Sequence, residues 1–571
     1  MKYRLELLLF SYIALLAVSP ALAGEYSPVW PEFLADRQGN QGMVTGIITM
    51  AEQVDLRALQ DKLYAQKADR QTWHKDVVMA LRDKAAATQA DIVARLENLA
   101  QTGQVSEYRA LWVANIITVS AERAVFDELV ARSDVLAISP DYPVEIIEPV
   151  SKGGDSPTIA GHEIGLERIH ADDVWAMGIT GSGTLVSHLD SGVDGAHPAL
   201  ASRWAGLDSV YEGHPEWAWF DYPYHTDFPV DYEEHGTHTM GTITGLGEDT
   251  GDTVGVAFGA RWISASLEGC TLDDILLCFQ WIADPDGNPE TVWDVPDVCS
   301  NSWGLINYFE FQNCDTTYWR VIDGCEAAGV VVLFAAGNEG PDSTTLRRPA
   351  DRATTDFNCF AVGAVDGSDP EMQIADFSSR GPTYCRPDSS LAIKPEIAGP
   401  GVNVRSSVPG GGYQDGWAGT SMACPHVAGV VALMRQANPN LTSEQVKRIL
   451  LATADDRGGP GDDNAYGAGV VNAYEAVMAA LQWGQPCRYI SGDVNADSLF
   501  NGLDVVYMVS YLKGGPSPIY ICECTPDNHW FVAGDINGTC AFEGVDVTYA
   551  VRYLRGGPVP QPCPDCPPHG L

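Results

Sequence analysis

Between residues 160 and 482, short apolar runs alternate with stretches of helical period, and this alternation constrains the fold more than any other feature of the 571-residue chain. Segments 184–189, 262–267, 298–302 and 330–335 read as strands, and 273–282, 317–328 and 421–436 as helices. Strands alternating with helices predict a parallel sheet covered on both faces, a three-layer α/β architecture. The block before it reads differently. A strand at 44–50, a long helix at 55–100, a strand at 108–119, a helix at 122–133 and a last strand at 135–147 predict a separate α+β unit. Small and polar residues at 151–158, with Gly153, Gly154 and Pro157, read as an exposed, cleavable linker.

At the start of the chain, Lys2 and Arg4 precede an apolar run over 5–18, and Ala21-Leu22-Ala23 closes it with small residues. This pattern predicts a secretory signal peptide over 1–23 and an exported protein. No later run reaches the roughly 18 apolar residues of a spanning helix, so no membrane span is expected in the mature form. The formal net charge of −42 leaves no electrostatic footprint for nucleic acid or an anionic membrane surface. None of the 14 cysteines precedes Cys270; eight lie over 270–424 and six over 487–566. Export predicts that most are paired, with connectivity left open. Cys424, on the buried side of a helix, reads as a free thiol.

Four motifs in the large block carry chemistry. Leu189-Asp190-Ser191-Gly192 closes a strand; His235-Gly236-Thr237-His238 follows; Ala336-Gly337-Asn338-Glu339-Gly340 ends another strand; Gly419-Thr420-Ser421-Met422-Ala423 opens a helix. Each alone is weak, since Asp-Ser-Gly is ordinarily a turn. Together they supply a nucleophile, a base and an acid that orients the base, in the order Asp, His, Ser. A Ser421 hydroxyl needs a base, His235 would take its proton, and Asp190 would hold the imidazole tautomer. Because Ser421 opens a helix, its backbone N–H points to where negative charge would develop.

With these motifs, and with Asn301-Ser302-Trp303-Gly304, Phe377-Ser378-Ser379-Arg380-Gly381-Pro382 and 394–401, the chain resembles the subtilisin family of serine endopeptidases, in its bacillopeptidase F-like branch. The resemblance implies a secreted endopeptidase with protein or peptide substrates, made as a self-processed precursor. It implies catalytic Asp190, His235 and Ser421, an oxyanion hole of Asn338 and Ser421, and substrate backbone pairing with Ser302, Trp303 and Gly304. It makes 24–155 an inhibitory propeptide and 156–483 the peptidase domain. His238 and His426 match family positions that pack rather than react. Arg347 and Arg348 precede Pro349 near the substrate pocket; they read as solvated or, if buried there, as favouring an acidic substrate side chain.

Residues 484–571 carry an internal repeat. Gly492-Asp493-Val494-Asn495 recurs as Gly534-Asp535-Ile536-Asn537, 42 residues on, and the run 506–516 recurs as 548–558. Asp493, Asn495, Asp497, Asn501 and Asp504 occupy positions 1, 3, 5, 9 and 12 of a loop, as do Asp535, Asn537, Thr539, Glu543 and Asp546. That is EF-hand-like spacing, with hard oxygens around one Ca²⁺ and a helix following. The tail resembles a type I dockerin, a small α-helical duplicated calcium module, which implies a cohesin-like or cell-surface partner. Ser498 and Cys540 stand where the loop expects Gly, and Gly502-Leu503 and Gly544-Val545 replace the polar pair that usually meets cohesin. Six cysteines are expected to staple this domain. In the peptidase domain, 284–289 reads as a surface turn, with calcium as the alternative. Two functions thus compete: an active endopeptidase, or a catalytically silent binding and assembly protein using the tail. All four of Asp190, His235, Asn338 and Ser421 are present, which favours the enzyme.

Overall fold

The structure, a computed structural model, describes residues 24–36, 42–157, 159–222, 224–305, 314, 316–483, 489–513, 518, 522–525 and 528–564. Segment 1–23, which the sequence reads as a signal peptide, lies outside the described residues. Seven parallel strands form the central sheet, in the spatial order Trp219–Asp221, Arg261–Ser266, Leu185–Asp190, Val298–Asn301, Val331–Ala335, Phe360–Asp366, Ile397–Val402. Leu185–Asp190, Val298–Asn301 and Val331–Ala335 are buried throughout, the near-continuous apolar pattern of strands covered on both sides. Helices Leu272–Ala283 and Thr420–Ala437 join one continuous core with these strands. The strand ends position the candidate residues: Asp190 is the last residue of its strand, and Asn338 follows the Val331–Ala335 strand.

The preceding α+β unit is a five-stranded sheet under the 32-residue helix Arg70–Gln101. Where the sequence reads as one helix over 55–100, two form. Leu56–Ala65 ends at Lys67 in a left-handed conformation (φ 52°), and Asp69 caps the next helix by accepting from the Thr72 N–H at 2.8 Å. The strand expected at 108–119 is a hairpin, Val105–Leu111 and Ile116–Ala121, turning at Asn115 (φ 48°). The long helix works in two halves. Ile92, Leu96 and Leu99 pack onto the five-stranded sheet, while Val77, Val78 and Leu81 join the core of the large domain. The sequence shows a long helix; only the assembled chain shows that it faces two cores.

The expectation that most cysteines pair does not hold in the large block. Cys314 and Cys385 form a disulfide, but Cys270, Cys278, Cys299, Cys325, Cys359 and Cys424 are free and buried. Their positions in the packed core explain this: each fills core volume as a small apolar group, and burial pushes the thiols of Cys299, Cys359 and Cys424 up to about 12. In the tail, Cys540 pairs with Cys563; Cys487 and Cys566 lie outside the described residues. Among the described residues no helix is long and apolar enough to cross a membrane.

Candidate active site

Two close backbone approaches assemble the acid–base pair. Asp190 ends a central strand, and the turn after it passes through Gly192 at φ +118°, where a Cβ would lie 2.0 Å from the Val230 carbonyl oxygen. The helix His235–Thr244 then starts against that turn, because Gly236 has no Cβ to strike the Gly192 carbonyl oxygen, 1.9 Å from where it would stand. Asp231 anchors the helix start by accepting from the Thr237 N–H at 2.7 Å. The result is a 2.6 Å contact between His235 Nδ1 and Asp190 Oδ1, with both side chains 1% exposed. Asp190 also accepts from the Ser191 N–H (2.8 Å) and the Thr239 hydroxyl (3.1 Å). Burial works against the charged form of both partners. Their mutual attraction prevails, so Asp190 is held below the usual carboxylate range and His235 is raised above the usual imidazole value. His235 Nε2 is buried and has no protein hydrogen-bond partner.

Ser421 lies in the first turn of the helix Thr420–Ala437. Pro425 inside that helix cannot donate to the Ser421 carbonyl, which accepts instead from the Ser302 hydroxyl at 3.3 Å. Asn338 is oriented by Thr420, whose N–H and hydroxyl donate to Asn338 Oδ1 at 2.9 and 3.0 Å. Its amide group is thereby aimed into the cleft.

The cleft holds the chain's own segment. The short strand Val144–Ile146 pairs antiparallel with Trp303–Leu305, setting Glu145 opposite Gly304, and the Ile147 N–H donates to the Ser302 carbonyl at 2.8 Å. Ser421 Oγ donates to the Ile147 carbonyl oxygen at 2.7 Å, and Asn338 Nδ2 donates to the next carbonyl, that of Glu148, at 2.9 Å. Beyond it the Val150 N–H donates to the Ala418 carbonyl, and the Ser151 carbonyl accepts from the Ala418 N–H. The Ile147 side chain is 1% exposed and belongs to the large core, whereas Glu148 is exposed. This segment therefore lies across Ser421 like a bound peptide. The sequence places a strand over 135–147 but shows nothing of where that strand lands. The linker at 151–158 is also less free than its composition implies, since Asp155–Ser156 pairs with the strand Gly412–Trp417.

Trp303 contributes its backbone to the cleft, while its indole is buried and donates to Asn301 Oδ1 at 2.9 Å. His238 stacks on Trp417 with ring centroids 4.2 Å apart, and His426 Nδ1 meets the Met422 carbonyl at 2.8 Å; burial lowers the pKa of both, His426 to about 4. Arg347 and Arg348 are neither fully solvated nor fully buried, at 27% and 11% side-chain exposure. Arg347 pairs with Glu339 at 2.8 Å and lies 3.9 Å from Glu145, and Arg348 lies beside Asp351.

The tail brings its two sets of candidate ligands into two similar loops, each followed by a helix, Gly502–Tyr511 and Gly544–Leu554. Asp493, Asp504, Asp535 and Asp546 are completely buried, while Asn495, Asn501 and Asn537 are partly exposed and Asp497, Thr539 and Glu543 exposed. Asp504 accepts from the N–H groups of Val494 and Asn501, and Asp546 from those of Ile536 and Glu543, so each last ligand ties its loop shut. Ser498 and Cys540 adopt φ of 68° and 59°, the conformation for which the loop expects Gly. Burial, and then the Asp504 and Asp497 charges, raise the pKa of Asp493. Buried oxygens of like charge at this spacing fit a hard cation.

Residues 181–469 match the subtilase family of peptidases. Bacillopeptidase F of Bacillus subtilis (strain 168) is 35% identical over 447 residues, which make up 74% of this chain and 30% of that protein. Serine protease AprX of the same organism is 33% identical over 338 residues, 54% of this chain and 70% of AprX. Subtilisin E, also from that organism, is 33% identical over 327 residues, 56% of this chain and 71% of subtilisin E. The chain thus spans less than a third of the first relative. Fervidolysin from Fervidobacterium pennivorans, a keratinolytic enzyme related to subtilisin, shares the fold at a TM-score of 0.54 and 22% identity, over 82% of this chain and 64% of its own.

Proposed function

Because the chain belongs to the subtilase family of peptidases, we propose that it is a secreted serine endopeptidase that releases itself from its own first block. The observation that carries this reading is the Ile147 carbonyl seated 2.7 Å from Ser421 Oγ, with the 2.6 Å His235–Asp190 pair behind it. Ser421 Oγ attacks that carbonyl carbon. His235 Nε2 takes the hydroxyl proton and delivers it to the departing nitrogen of Glu148, while Asp190 stabilises the imidazolium. The Asn338 amide and the Ser421 N–H receive the oxyanion, which requires the Asn338 amide to shift by one carbonyl from its present partner.

Two features favour the Ile147–Glu148 bond over the next one. The buried side chain belongs to Ile147, and the following bond, Glu148–Pro149, is an imide whose nitrogen bears a ring. Cleavage there would fall upstream of the boundary read at residue 155. Until the first block leaves, it fills the cleft and acts as inhibitor. The tail is proposed to bind two Ca²⁺, held by Asp493, Asn495, Asp497, Asn501 and Asp504 and by Asp535, Asn537, Thr539, Glu543 and Asp546. A cohesin-like or cell-surface partner would meet the helix starts, where Leu503, Val506 and Val545 are 62–66% exposed.

A fluorophosphonate probe should label the processed protein at Ser421, and Ser421→Ala should abolish both casein hydrolysis and the appearance of a new N-terminus at Glu148. Wild-type casein hydrolysis by Ser421→Ala would refute the assignment.

A further inference from the structure

One part of the contact between the first block and the large domain falls on an acidic loop. Arg70 donates to the Val295 carbonyl at 2.9 Å and pairs with Asp297 at 2.8 Å; Gln71 donates to the Glu290 carbonyl at 2.7 Å; Lys75 pairs with the Glu290 carboxylate at 2.6 Å. Two turns further along the same helix, the Arg82 guanidinium bridges Asp284 Oδ2 (2.5 Å) and the Gly287 carbonyl oxygen (3.0 Å). The Asp284 side chain is completely buried, whereas that of Arg82 is 29% exposed and belongs to a segment that the proposed reaction removes.

Asp284 does not stand alone. One carboxylate oxygen each from Asp284, Asp286 and Asp294 lies within 4.8 Å of the others. Asp284 Oδ1 and Asp294 Oδ1 are buried with no hydrogen-bond partner, and Asp294 as a residue is completely buried. The Tyr211 hydroxyl is buried and unpartnered too, and its ring packs against that of Trp293, the neighbour of Asp294, with centroids 5.0 Å apart. The loop is therefore a set of inward oxygens, and among the described residues Arg82 is the cation that bridges Asp284 and Gly287. Loss of Arg82 would leave buried carboxylates uncompensated, which is strongly unfavourable.

We propose that Asp284, Asp286 and Asp294, with the Gly287 carbonyl, form a calcium site of the peptidase domain that the Arg82 guanidinium of the first block occupies in the precursor. The inference rests on the reading that this block leaves. The guanidinium spans a carboxylate and a carbonyl oxygen as a hard cation would, and Ca²⁺ accepts such mixed oxygen sets with irregular geometry. The exchange couples maturation to the medium: the charge that stabilises the loop comes from within the chain before cleavage and from dissolved calcium after it. The turn at 284–289 is thus closed by Arg82 in one state and open to a cation in the other.

The test uses uncleaved full-length protein carrying Ser421→Ala, so it stands whether or not self-processing occurs. Calcium stoichiometry is measured by calorimetry on that parent, on Arg82→Ala added to it, and on Arg82→Ala with Asp294→Asn. Arg82→Ala should gain one calcium ion per chain over the parent, with a dissociation constant of about 10⁻⁴ to 10⁻³ M, the range of extracellular calcium modules. Asp294→Asn should remove that gain. Equal stoichiometry in Arg82→Ala and the parent, or a gain that survives Asp294→Asn, overturns the proposal. If circular dichroism shows that Arg82→Ala loses its fold, the count on the mature peptidase with and without Asp294→Asn decides. One ion fewer in the variant supports the site, and an equal count overturns it.

Discussion

Ile147 should be the anchor of the inhibitory segment, and truncating it gives a number that can be checked. Its side chain is 1% exposed and packs into the core of the large domain. Ile147→Ala removes three buried carbons, and at about 0.8 kcal/mol per buried methylene the loss is about 2.4 kcal/mol. Since 1.4 kcal/mol is tenfold in an equilibrium constant, that corresponds to roughly 50-fold weaker binding. Glu145 offers the contrast within the same strand. Its carboxylate is 50% exposed and 3.9 Å from Arg347, a pair worth at most about 1 kcal/mol, so Glu145→Ala should weaken binding no more than about fivefold. The assay adds residues 24–147 in trans to the mature peptidase and measures the inhibition constant against a chromogenic peptide, for the parent sequence and for each substitution. An Ile147→Ala ratio below about threefold, or a Glu145→Ala effect exceeding that of Ile147→Ala, would refute the claim that the buried apolar side chain rather than the ion pair holds the segment.

Hydrolysis should rise with pH through a group titrating above 6.5, because neutral His235 is the active base and the Asp190 charge raises its pKa against the opposing effect of burial; a kcat/KM profile with its acid limb centred below 6.5 would contradict this. Arg405→Met should destabilise the folded chain by about 3–5 kcal/mol, since it leaves the completely buried Asp252 carboxylate without the two guanidinium bonds at 2.7 and 2.8 Å; a melting temperature equal to wild type would show the pair to be dispensable. EGTA should loosen the tail, exposing residues 484–571 to added protease, because Asp493 and Asp504 bring like charges together in the interior of a small module; unchanged protection would mean that the disulfides suffice.

The candidate catalytic residues were legible in the sequence because their chemistry demands particular side chains in particular local settings. Asp190 had to end an apolar strand, Ser421 had to open a helix, and the glycines beside Asp190 and His235 mark backbones that approach more closely than a Cβ allows. Strand and helix types followed equally well, since period 2 and period 3.6 are local properties. Boundaries went astray where a single residue in a left-handed conformation reverses the chain, as at Lys67 and Asn115, because no periodicity records such a turn.

Other features depended on which distant segments meet. Six cysteines stay free because core packing, not export, decides whether two sulfurs come within bonding reach. Arg347 was legible as a charge near the cleft, but Glu339 and Glu145, brought beside it by the fold, decide where it points. The occupant of the cleft, Ile147, is an unremarkable strand residue in the sequence; its role comes from the pairing of Val144–Ile146 with Trp303–Leu305 across more than 150 residues of chain. Arg82 and Asp284 likewise lie 202 positions apart, one on a helix face and one in an ordinary-looking turn. A sequence specifies which charges exist and what each can do, but burial and partner are properties of the assembled core, and they decide whether a turn is only a turn.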